Sequence, residues 1–158
     1  MLKSILVLAT IFQIVGCTAY NQTKSQSLPA ALDPAKGVLI SIPADGSYGN
    51  DQYRNSGIMT AEVVRTAFSK HAFRAEIIPS CKTEDCLVGI NIERYGYFVM
   101  PAILHWEERA TEWSGRPDRI KIRLTVFDAI NKTRIGSYSY IGKSKWATFG
   151  GDHPQDLL

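Results

Sequence analysis

Hydrophobic and polar residues follow different rhythms along the chain, and each rhythm predicts an element. Residues 37–42, GVLISI, form a short apolar and β-branched run closed by Pro43, which reads as a buried strand. The next stretch, PADGSYGND, is rich in turn residues. Gly57, Ala61, Val64, Ala67, Phe68, His71 and Ala72 then recur at spacings of three and four, one face of a helix. Asn55 or Ser56 is placed to cap its start. His71, on the apolar face, is expected in the core. Residues 74–78 return to a short extended pattern. A helix between two strands predicts parallel neighbours joined by a right-handed crossover.

The second half of the chain keeps a period of two. Residues 87–92 read as a strand, and residues 95–113 as a long extended stretch interrupted near Pro101. Ile120, Ile122, Leu124 and Val126 alternate with Arg119, Lys121, Arg123 and Thr125, a strand with one wet face. After the turn AINKTR, residues 135–141 form another strand that carries Tyr138 and Tyr140. The predicted fold is α+β (mixed α/β): a single sheet, one helix crossover between the N-terminal strands, and antiparallel strands with a long hairpin in the C-terminal half. Near the end, Asp152 and Gln155 resemble a capping box with Pro154 in its first turn, so these residues should open a helix or form a frayed tail.

The first residues follow another rule. Lys3 precedes an apolar run over residues 5–15, too short to span a bilayer well and of the length of a secretory signal. It ends in Ile14-Val15-Gly16-Cys17, which resembles a bacterial lipobox. That resemblance implies cleavage before Cys17 and acylation of its sulfur and new amine. Each buried methylene contributes about 0.8 kcal/mol, and several acyl chains on one residue make a durable anchor. Thr18 stands where an aspartate would resemble the inner-membrane retention signal, which favours the outer membrane with the domain facing the periplasm. Residues 18–36 are polar, contain Pro29 and Pro34 and lack a sustained period, so they read as a flexible tether. The expected division is a signal peptide over residues 1–16, a lipidated N-terminus and tether over 17–36, and one globular periplasmic domain over 37–158.

Composition adds little to this and removes some classes. With 158 residues, 45% hydrophobic and 21% charged, the chain is an ordinary single domain. Its net charge of +3 comes from basic residues interleaved with acidic ones, so no nucleic-acid partner is expected. Cys81 and Cys86 remain after Cys17, and an oxidising periplasm allows them to pair. A loop this short contributes about 2–3 kcal/mol at most in the chain-entropy model. His71, His105 and His153 show no metal-ligand spacing, so neither a metal nor a cofactor is expected. Gly46 and Gly49 lie between a strand and a helix, but G-K-[ST] is absent and G-x-G-x-x-G does not match. No phosphate site is expected there.

The densest chemistry lies in WEERATEWSGRPDR, residues 106–119. Ser114-Gly115-Arg116-Pro117-Asp118 has turn chemistry, so the block should be the tip of a hairpin. Glu107, Glu108 and Glu112 on one arm match Arg119, Lys121 and Arg123 on the other, and each aligned pair contributes about 0.2–1 kcal/mol. Aligning Glu112 with Arg119 and Glu108 with Arg123 requires a bulge. Two functional readings remain. Glu107 or Glu108 with Glu112 could form a glycosidase-like acid pair, and His105 lies close by. Alternatively Trp106, Trp113, Arg116 and Asp118 form a recognition tip, since Trp and Arg are enriched in interface hot spots.

The blocks PADGSYG, ILHWEERATEWSGRPDRIKI and GKSKWATFGGDHPQDLL together resemble a family of small predicted lipoproteins of Gram-negative bacteria, catalogued as a domain of unknown function. The family implies no reaction and no catalytic residues. More loosely, the order of elements is similar to the amino-terminal domain of TolB and to lipoproteins that activate penicillin-binding proteins, a fold analogy that implies partner binding. The expected function is a lipid-anchored outer-membrane lipoprotein that binds an envelope protein or peptidoglycan. The alternative is a periplasmic hydrolase of cell-wall or glycan substrates.

Overall fold

The computed structural model describes residues 19–26, 31–81, 83–87, 94–109, 116–144 and 154–158. Its frame is a mixed sheet of six strands: β1 (Ala19–Gln26), β2 (Gly37–Ser41), β5 (Ala75–Ile78), β6 (Tyr95–Glu107), β7 (Arg119–Asp128) and β8 (Arg134–Lys143), in the order β1-β8-β7-β6-β2-β5. A small hairpin of β3 (Gly46–Tyr48) and β4 (Asp51–Tyr53) forms a separate two-stranded sheet packed on β6, and α1 (Ser56–Ser69) follows that hairpin. β2 runs parallel to both β5 and β6, and the remaining pairs are antiparallel. This is the α+β fold expected, with the strand–helix–strand unit of β2, α1 and β5 set on one side of an antiparallel meander.

α1 packs on one face of the sheet, where Ala61 and Val64 meet Val38, Ile40, Tyr97, Val99 and Val126. On the opposite face Leu39, Tyr95 and Phe98 pack under the Cys81–Cys86 disulfide loop. A third cluster, of Trp106, Ile120, Ile122 and Leu157, extends the core toward the end of β6 and the start of β7. A bulge sets its position. Val99, Pro101 and Ile103 face their β7 partners Val126, Leu124 and Ile122, but the register then slips, so that His105 pairs with Lys121 and Trp106 with Ile120. The extra residue, Leu104, reverses the alternation and turns Trp106 toward the core.

Several expectations are corrected. Ala19–Gln26 is an edge strand paired with β8 rather than part of a tether. Residues 31–36 also pack on the domain: the Asp33 N–H donates to the Tyr97 hydroxyl at 2.8 Å and the Phe73 N–H to the Pro34 carbonyl at 2.8 Å. Pro101 does not interrupt β6. The pairing of β2 with β6 stops at Ile40 and Val99, so Pro101 lies where only β7 flanks the strand, a position that tolerates proline. His71 lies beyond the end of α1 and is exposed, not in the core. The turn-rich segment holds a hairpin, with Gly49 supplying the positive φ of 60° at its first turn position. Of the strand expected over residues 87–92, Leu87 ends a 3-10 turn and residues 88–92 lie outside the described residues. Pro154–Leu157 is a 3-10 turn rather than a frayed tail: Leu157 is buried and its carbonyl accepts from the Tyr140 hydroxyl. Asp152 lies outside the described residues.

The helix start is capped from a distance. Asn55 takes a left-handed conformation and makes no side-chain cap. The Asp45 carboxylate, from the segment before β3, accepts the Gly57 N–H at 2.9 Å and the Asn55 N–H at 3.2 Å. It thereby satisfies donors that a helix start leaves open and places negative charge at the positive end of the dipole. Asp45→Ala should lower stability by about 0.5–2 kcal/mol, with Asp45→Asn recovering part of the loss, as read from chemical denaturation. Equal midpoints for Asp45→Ala and wild type would show that the cap contributes nothing.

Candidate functional site

The end of β6 gathers the chemistry that the sequence concentrates there. After the bulge, His105 and Glu107 share one side of the strand, and Arg109 follows two residues later. Glu107 is buried, with 2% of its side chain exposed, while His105 and Arg109 are 36% and 24% exposed. Arg109 pairs with the Glu107 carboxylate through both its Nε and an Nη. The His105 Nε2 lies 3.1 Å from the other carboxylate oxygen. Tyr48, from β3, stands edge-on to the His105 ring at 5.3 Å and lies 3.5 Å from the Arg109 guanidinium. Burial by itself would raise the Glu107 carboxyl. Hydrogen bonds from His105, Arg109 and Tyr48, with the charge of Arg109, outweigh it and hold the group below its usual range. The same carboxylate raises Arg109.

This chemistry argues against acid catalysis. A glycosidase acid needs a raised carboxyl that still holds its proton near neutral pH. Glu107 is instead ionised and surrounded by donors. Glu108 is exposed, and Glu112 lies outside the described residues. A His–carboxylate pair orients a base only when a nucleophile faces the other ring nitrogen. Among the described residues, the contacts of His105 are with Glu107 and Tyr48.

A shallow cleft of about 650 Å³ opens at the carboxyl ends of β2 and β5, between the start of α1 and the stretch of β6 that β2 leaves uncovered. Asn55, Ile58, Met100 and Pro101 are among its lining residues. The carboxyl ends of parallel strands are where open sheets with helices place ligands. The cleft's one carboxylate, Asp45, already serves the helix start, so what remains is largely an apolar wall. A phosphate at this helix start would have to displace Asp45.

On the face of the sheet away from α1, Arg119, Lys121 and Arg123 project into solvent from β7, and Lys143 from β8. The acidic arm expected to neutralise the β7 cations is out of register. Glu107 pairs with Arg119, His105 with Lys121 and Ala102 with Arg123. Among the described residues, Glu107 is the acid opposite the row, and it is already engaged by Arg109.

Residues 30–158 match the model of DUF4823, a domain of unknown function. The chain belongs to the DUF4823 family. No curated protein matches it. Among solved structures, the DUF4823 domain is similar to the PelC dodecamer from Paraburkholderia phytofirmans, with a TM-score of 0.67 and 12% identity over 87% of this chain and 91% of that one. A point variant of the same PelC gives a TM-score of 0.64 and 11% identity over 87% of this chain and 100% of that one. The likeness is one of fold.

Within this DUF4823 domain the four expected recognition residues separate. Trp106 is 2% exposed and belongs to the core, because the bulge turns it inward. Asp118 is also 2% exposed and ties the hairpin base together. Its carboxylate accepts the Arg109 N–H at 2.5 Å, its N–H donates to the Ser144 hydroxyl at 2.8 Å, and its carbonyl accepts the Ser144 N–H at 3.1 Å. Neither residue is available to a partner. Arg116 is exposed, and Trp113 and Cys17 lie outside the described residues. Cys81 and Cys86 form the expected disulfide, with Cα atoms 5.3 Å apart. His153 lies outside the described residues, and no group of metal-ligating side chains occurs among those described. Sequence reasoning missed the cleft and Tyr48. The signal for Tyr48 was a lone aromatic between two glycines, which a turn explains equally well.

Proposed function

We propose that this protein is an acyl-anchored lipoprotein of the outer membrane whose periplasmic domain is a binding or assembly module of the cell envelope. The observation that carries the reading is the join between anchor and fold. The lipobox-like Ile14-Val15-Gly16-Cys17 is followed, from Ala19, by a strand of the domain's own sheet. An acylated Cys17 would hold that edge of the sheet at the bilayer rather than release the domain on a long tether. The saturated Glu107 favours binding over hydrolysis. The PelC relative in fold is a dodecamer, which makes a self-assembling envelope module a natural form of the reading. Exposed Arg116 and the cleft beside α1 are the surfaces this reading offers to an envelope protein or peptidoglycan.

Membrane fractionation with acyl labelling tests the anchor. Cys17→Ser should lose the label and leave the outer-membrane fraction. A Cys17→Ser protein that stays with the outer membrane at the wild-type level, or that still takes up label, would overturn the reading.

A further inference from the structure

The geometry points to a second membrane contact: the cationic face of β7 and β8 binds the phosphate headgroups of anionic lipid. Arg119, Lys121, Arg123 and Lys143 are all exposed, and they stand on one face because the strand register places them there. Arg119 sits directly opposite Lys143. Side chains in that relation have Cβ atoms about 5 Å apart, and like charges so placed are destabilising unless an anion lies between them. Lys121 and Arg123 continue the row, so that it spans about 13 Å from Arg119. None of the four makes an ion pair with a described residue. The acidic side chain that flanks them, Glu107, is committed to Arg109 and His105. Among the described residues the row is therefore a cluster of charge without a counter-ion, on a sheet face that α1 does not cover.

The choice of lipid as the anion rests on the anchored reading above. β1 pairs Ala19 with Lys143, which in turn pairs with Arg119, so the first residue of the sheet and two of the cations lie in one line across three strands. Ala19 lies two positions after Cys17, a reach of about 7 Å at most. An anchor on Cys17 holds this corner within one Debye length of the headgroups, where each basic side chain attracts anionic lipid appreciably. Acyl chains and a basic patch are two independent membrane signals that reinforce one another.

The test uses the full chain carrying Cys17→Ser, which has no acyl group whatever the wild type carries, so its outcome is separate from that of the anchor. Co-sedimentation is compared on vesicles of phosphatidylcholine alone and of phosphatidylcholine with phosphatidylglycerol at low salt. The apolar contribution of residues 5–15 is common to both vesicles and cancels in the ratio. Binding should be on the order of 10- to 100-fold tighter on the anionic vesicles and should fall with added salt. Adding Arg119→Ser, Lys121→Ser and Arg123→Ser should remove most of that preference. Removing the same formal charge from around the helix with Arg54→Ser, Arg65→Ser and Lys70→Ser should leave it intact. Equal binding to the two vesicle types, or equal losses in the two triple variants, would overturn the proposal. So would anionic vesicles bound no better than neutral ones by a chain that binds a soluble polyanionic glycan through the same row, since the occupant would then be a polymer. Circular dichroism of each variant, with the wild-type spectrum retained, ensures that lost binding is read from folded protein.

Discussion

Trp106→Ala should destabilise the domain by about 3–5 kcal/mol, lowering the urea midpoint with little change in slope. The side chain is 2% exposed and packs with Ile120, Ile122 and Leu157, with Tyr53 tilted against it at 6.4 Å between centroids. The backbone of β3 closes the other side. A Cβ on Gly46 would lie 2.6 Å from the Trp106 Cβ, so the hairpin is fitted to this residue and has little freedom to collapse into the space left behind. Poor collapse places the loss toward the upper part of the range for a buried aromatic. Domains of this kind have total stabilities of about 5–15 kcal/mol, so the variant is expected to be marginal at 37 °C. A loss below about 1 kcal/mol would contradict the core position of Trp106 and return it to the surface reading.

The same tryptophan shows why part of the molecule was legible in its sequence and part was not. α1 and β7 follow from periodicity because each buries one continuous face, and β2 is legible as an unbroken apolar run because it is buried on both faces. An apolar face leaves its period in the residues whether or not the partner is known. β6 breaks that logic at Leu104. Alternation carried forward from Val99, Pro101 and Ile103 sends His105 inward and Trp106 outward, and a single inserted residue reverses both. Nothing in the composition of ILHWEE marks where a bulge falls. The charge-matched hairpin failed for the same reason. Glu107 and the bases Arg119, Lys121 and Arg123 do lie on two paired strands, but their register depends on the bulge and on the turn, and the register decides which charges meet.

The cap and the cleft were hidden for a different reason. Asp45 acts on a helix that begins eleven residues later, and the cleft walls come from segments around residues 41–45, 55–58, 79 and 100–103. Such contacts are set by how β2, α1 and β6 pack together, and no local pattern encodes them. The edge strand β1 escaped notice because its eight residues are almost entirely polar, AYNQTKSQ. A strand at the sheet edge has one neighbour, and backbone pairing with β8 places it without an apolar signature of its own.

Glu107→Gln should cost about 2–4 kcal/mol at pH 7 and remove this carboxyl's share of the acid dependence of stability. Breaking a buried, hydrogen-bonded ion pair from one side leaves the other partner poorly solvated, and hydrogen bonds to a charged group count for more than neutral ones. The quarter-exposed Arg109 side chain retains some water, which keeps the loss below that of a fully enclosed pair. The sign with pH follows from the direction of the shift. The folded carboxyl is held below its usual range, so the unfolded chain takes up a proton first as the solution is acidified. Wild type therefore keeps this contribution above the ordinary carboxylate range of about pH 4–5 and loses it as the pH falls through the lower folded value. Glutamine has no proton to gain. Its unfolding free energy should lie below wild type at neutral pH, change less on acidification, and meet the wild-type curve at the acid end. Denaturation midpoints measured from pH 7 to pH 3 decide the matter. Curves that stay parallel would show that Glu107 does not titrate with folding. A raised carboxyl, as an acid catalyst requires, would give the opposite slope, with wild type gaining on the variant as the pH falls. The pH profile thus separates a structural carboxylate from the catalytic one that the sequence first suggested.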